Sequence, residues 1–84
     1  KWWRLAAEQG NADAQFSLGL MYGRGQGVIK DFVYAHMWVL LAAANGNENG
    51  VEVRDGAAKR MTPSQLETAQ KLARECVRKK YKGC

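Results

Sequence analysis

One histidine, two cysteines and eight carboxylates bound the chemistry open to this chain. His36 stands near the start of an apolar stretch with no partner pattern around it. Such a histidine is more often structural, at the surface or half-buried, than a metal ligand or base. Cys76 falls on an apolar helical stripe and reads as a small core residue, with Cys84 mobile at the terminus. A Cys76–Cys84 bridge is the alternative; it needs the helix end to fold back, and it would favour an oxidising compartment. Glu48 with Glu52, and Glu52 with Asp55, share a helical face. Paired carboxylates can do acid–base work, but with no metal motif or interrupting loop nearby these read as solvated surface.

Gly23, Gly25 and Gly27 invite a phosphate-loop reading. It fails, because Val28 occupies a position where a dinucleotide fingerprint needs glycine, and no P-loop Lys-Ser/Thr follows. Gly19 and Gly23 form a G-x-x-x-G outside any apolar 20-mer, which means close helix packing. No cofactor or metal is implied. A hydrolase using Cys76 or the carboxylates ranks far below a binding role.

The 84 residues carry a formal charge of +5. That is one domain with a small core. The longest apolar run, Met37 to Ala44, is too short to span a bilayer. No signal segment is visible at the first residue, and the opening reads as mid-helix, so an upstream portion is expected. The basic balance lies in residues 59–84. Lys71, Arg74, Arg78, Lys79, Lys80 and Lys82 there are candidates for binding a polyanion such as nucleic acid. Tyr81 is the only aromatic among them, so base stacking has little support.

The elements that position these residues follow from a repeat. Trp2, Leu5, Ala6, Ala7, Gly10 and Asn11 recur 36 residues later as Trp38, Leu41, Ala42, Ala43, Gly46 and Asn47. A period of that size marks a helical array. The spacing predicts a first helix over 12–22, with Ala14, Leu18 and Tyr22 as its stripe and Gly19 beside it for close approach. A Gly-rich connector follows. Asp31 then caps a second helix over 32–44, apolar on all sides and therefore covered on more than one face. A helix over 49–60 is weakened by Gly50 and Gly56. Thr62, Pro63 and Gln65 form a capping-box start for a last helix over 63–80, buried through Leu66, Ala69, Ala73 and Cys76. Trp2, Trp38, Tyr22, Phe16 and Phe32 read as core; Trp3 reads as a docking site for a preceding unit.

The series Ala14, Leu18-Gly19, Tyr22, Gly25-Gln26-Gly27-Val28, Asp31, Ala35, Trp38, Ala42-Ala43 and Gly46 resembles the Sel1-like repeat, a relative of the tetratricopeptide type. Ile29 stands where that family often has proline. The resemblance implies an all-α solenoid of helical hairpins, and it divides the chain into three. Residues 1–10 end a preceding repeat, 11–46 form one full repeat, and 47–84 form a degenerate terminal hairpin that caps the array. It also implies a non-catalytic adaptor whose partner is another protein, held on the first-helix surface. Its bacterial relatives are often exported, which points toward periplasm or cell envelope. Helix geometry nominates Asn11, Gln15 and Met21 as partner contacts, with Arg24 and Gln26 at the rim.

Overall fold

The computed structural model describes residues 2–84, with side chains from Arg4 onward. Five helices follow in order: α1 Trp2–Glu8, α2 Ala12–Arg24, α3 Phe32–Ala44, α4 Glu48–Ala58 and α5 Pro63–Arg78. The packing expected of Trp2 and Trp3 lies outside the described side chains.

Each of α2 to α5 starts where a short polar side chain takes up a free N–H. Asn11, Asp31, Asn47 and Thr62 cap α2 to α5. At the last of these the box is reciprocal. The Gln65 N–H donates to Thr62 Oγ1 at 3.1 Å, and the Thr62 N–H donates to Gln65 Oε1 at 3.0 Å. The 36-residue period reappears as repeated hydrogen bonds. The Asn11 N–H donates to the Ala6 carbonyl at 3.0 Å, and the Asn47 N–H to the Ala42 carbonyl at 2.9 Å. The Ala14 and Gly50 N–H groups donate to Asn11 and Asn47 Oδ1. Gly10 and Gly46 make both junctions possible at φ +88 and +102, a region that disfavours any side chain.

α3 is the axis. Met37, Trp38, Val39, Leu41 and Ala42 are all buried, and α2, α4 and α5 each pack on α3. Ala7 from α1, Ala14 and Leu18 from α2, and Ala73 and Cys76 from α5 close the core around Trp38. α4 and α5 pack on α3 rather than on one another. Leu66 is only half-buried, so the α5 stripe narrows to Ala69, Ala73 and Cys76. Phe32, expected in the core, is 58% exposed, because it begins α3 beyond the reach of the covering helices.

The C-terminus departs from expectation. Cys76 and Cys84 are bridged, with Cα atoms 5.8 Å apart, so Cys84 is not a mobile end and Cys76 is not a free thiol. The chain reverses through Lys80 and Tyr81 at φ 56 and 66, both left-handed without being glycine. Side chains there cost about 1–2 kcal/mol per residue. Their turn is held by the bridge, by the Tyr81 N–H donating to the Cys76 carbonyl at 2.8 Å, and by the Asn45 amide donating to the Tyr81 hydroxyl at 3.2 Å.

Two glycines separate packing from propensity. A Cβ on Gly19 would lie 2.8 Å from Val39 Cγ2 and 3.1 Å from the Ala35 carbonyl oxygen, whereas one on Gly56 would meet nothing within 4 Å. Gly19→Ala is therefore expected to destabilise by about 1–3 kcal/mol, and Gly56→Ala to stabilise by up to about 1 kcal/mol. Urea unfolding of both variants tests this; equal effects would contradict the packing described. The bridge closes a short loop, so Cys84→Ser is expected to cost about 2–3 kcal/mol. A thermal midpoint unchanged by that substitution or by reductant would show that the tail is not fastened.

Candidate functional site

α2 and α4 flank α3, linked where α4 begins by the Asn47–Asp13 hydrogen bond, and the space between them is a groove of about 750 Å³. Its floor is α3, through Ala35, His36 and Val39. One wall is α2, through Gly19, Leu20 and Gly23. The other is α4, through Val53, Gly56 and Ala57, continued by Arg60, Met61 and Gln65. Gly56 leaves the α4 wall without a side chain, where a Cβ would meet nothing within 4 Å. Phe32 and Val53 present apolar surface there, at 58% and 38% exposure.

Both wall helices run antiparallel to α3. Arg24 ends α2 and Arg60 follows α4, so both guanidinium groups arise at the end of the groove where α3 begins. Both are exposed. Among the described residues the one ion pair is Arg54 with Asp55, at 3.1 Å, so neither Arg24 nor Arg60 is paired. Lys30 lies over the Phe32 ring at 5.0 Å and adds a third cation. The nearby Asp31 is committed to the α3 cap, its Oδ1 accepting from the Tyr34 N–H at 3.0 Å.

His36 departs from its expected surface or half-buried place: it is 4% exposed, and its Nδ1 has no hydrogen-bond partner. Burial lowers its pKa from the ordinary 6.5, and the charge of Arg54 lowers it further. The ring is thus neutral at pH 7.

The five nominated partner contacts divide. Arg24 is on the groove; Gln26 is exposed in the connector and does not line it. Met21 is half-buried against the core. Asn11 is exposed, but its carbonyl oxygen is the α2 cap. Gln15 must be removed from the surface. It is fully buried, its amide donates to the Ala7 carbonyl at 3.1 Å, and its oxygen accepts from Asn45 at 2.9 Å. A glutamine on the inner side of α2 looks available from helix geometry alone, until the α1 carbonyl and Asn45 converge on it. The groove residues Phe32, His36, Val53 and Arg60 were missed. The only signal for them was the pair of glycines on α4, which reads locally as helix weakness.

The six basic candidates Lys71, Arg74, Arg78, Lys79, Lys80 and Lys82 are all exposed. Lys71, Arg74 and Arg78 follow one line of α5 by their spacing; the other three sit on the folded-back tail. Their one aromatic neighbour in sequence, Tyr81, has its hydroxyl engaged by Asn45. Glu48, Glu52 and Asp55 are exposed on α4. Among the described residues no three His, Cys, Asp or Glu side chains converge, and no helix is long and apolar enough to cross a membrane.

The lowered pKa of His36 has a consequence for folding. His36 takes up its proton less readily in the native chain than in the unfolded one, so the native state is favoured at and above the unfolded pKa. Stability is then expected to fall as pH drops below about 6.5, with a slope of at most about 1.4 kcal/mol per pH unit. Denaturant midpoints between pH 7 and 5.5 test this. His36→Gln should flatten the dependence, and an undiminished slope in that variant would assign it elsewhere.

No curated protein matches the chain. The Sel1 repeat profile does match it, over residues 1–11 and 12–47. Those segments are α1 with its Gly10 junction, and the α2–α3 hairpin with the Gly46 junction that repeats it. More than half of the sequence is covered, and the all-helical hairpin packing agrees: the chain belongs to the Sel1 repeat family, whose repeats generally mediate protein–protein interaction.

Proposed function

We propose that this chain is a non-catalytic interaction module and that its partner protein lies in the groove between α2 and α4. The observation that carries this reading is the groove itself, with solvent-facing Phe32 and Val53 over a floor of Ala35, His36 and Val39. Exposed large apolar side chains gathered in a concavity are characteristic of docking surfaces. In this reading residues 47–84 close the array. α4 begins as another first helix, capped by Asn47 as α2 is capped by Asn11, while α5 turns a charged face outward as a terminal cap requires. The Cys76–Cys84 bridge supports an oxidising compartment. Polyanion binding through α5 draws less support, because its cations line an open helix surface with no groove and no free aromatic platform.

Random dodecapeptides displayed on phage, selected on the immobilised 84-residue chain, test the groove. A recovered pool is expected on the wild-type chain. It should be lost on Gly56→Trp, which places an indole where a Cβ meets nothing, and it should survive Lys71→Glu on α5. Unchanged helicity by circular dichroism shows that the variants fold. Recovery that ignores Gly56→Trp would move the binding surface elsewhere.

A further inference from the structure

We infer that the groove takes a peptide segment carrying apolar side chains together with an acidic one, the carboxylate seated between Arg24 and Arg60 where α3 begins. This names the partner chemistry for the groove and rests on the groove being the docking surface. Three observations on charge and polarity lead to it. No carboxylate lines the groove, yet two arginines do. Neither of them is ion-paired among the described residues. Lys30 stands over Phe32 at the same end, and the one carboxylate close by, Asp31, is held by the Tyr34 N–H. Asp31 keeps its charge as a cap, but the three cations Arg24, Lys30 and Arg60 outnumber it at that end.

The rest of the groove calls for apolar groups. Leu20, Val39, Val53 and Met61 offer no hydrogen-bonding side chain, so a purely charged ligand would desolvate there without return. Guanidinium groups pair with carboxylates through two parallel N–H donors, which gives direction as well as attraction. An acidic residue flanked by apolar ones satisfies both ends of the groove at once. A nucleic acid would satisfy only the arginines and would leave the apolar walls unused.

The test selects the same displayed dodecapeptides in parallel on the wild-type chain and on Arg24→Ala/Arg60→Ala. Peptides joined to the coat protein at their C-terminus have no free end carboxylate, so any acid preference reports side chains. The wild-type pool is expected to be rich in Asp or Glu beside large apolar residues. The variant pool should keep the apolar preference and lose the acidic one. A selected peptide should bind the variant about three- to tenfold more weakly by fluorescence anisotropy, the range for losing two exposed charge pairs. Its Glu→Gln counterpart should lose the same factor on the wild-type chain and little on the variant. A pool with no acidic preference, or one whose acidic preference persists in the variant, overturns this inference and leaves the groove as docking surface. Displacement of the peptide by a DNA oligonucleotide from the wild-type chain but not from the variant would assign the arginines to phosphate and overturn it as well. Failure to recover any pool on the wild-type chain would overturn both readings together.

Discussion

Everything in this structure depends on covering α3. Its 13 residues include no charged side chain, and every position of the 37–42 stretch apart from Leu40 is buried. A helix apolar on every side cannot be satisfied by one neighbour. It draws α2 against one side, α4 against another and α5 against a third. The α2 contact is the most extensive, and at Gly19 α3 passes where a side chain would stand. The density of that contact is what gives so small a chain a defined core around Trp38.

The groove is a consequence of the same constraint. Since α2 and α4 both pack on α3 and are joined to each other only at the end where α4 begins, through Asn47 and Asp13, the wedge between them stays open. Gly23 and Gly56 line it without a side chain. The burial of His36 follows too: its place on α3 lies under both walls, and the proximity of Arg54 adds to the cost of charging it. The concave site and the buried histidine are thus two results of how the outer helices sit on the central one.

At the opposite end the chain is fastened by polar and covalent links. Gln15, Asn45 and Tyr81 connect α2, the α3 end and the tail. Asn47 reaches Asp13 at 2.9 Å, tying one first helix to the next. Gln15 is buried completely and remains satisfied, so it serves as a spacer between repeats without the penalty of an unpaired amide. At the α1 side, Arg4 donates to the Tyr22 hydroxyl at 3.1 Å, and Tyr22 meets Tyr34 edge-on at 4.8 Å.

The helices, the Asp31 and Thr62–Gln65 caps and the family were legible in the residues alone. Those caps act through N–H groups within a few residues, and the Gly10-Asn11 and Gly46-Asn47 junctions repeat because the same short-range bonds recur, although Asn11 and Asn47 were not read as the caps they are. Local chemistry is readable from local sequence. The bridge was not, because its turn passes through Lys80 and Tyr81, residues with no turn preference, and is held by Asn45 from a distant part of the chain. Gln15 misled for the same reason: its partners Ala7 and Asn45 lie 8 and 30 residues away. The groove belongs wholly to tertiary structure. Gly56 weakens a helix in the sequence and opens a cavity in the fold, and only the placement of α4 on α3 decides that Arg24 and Arg60 face the same space.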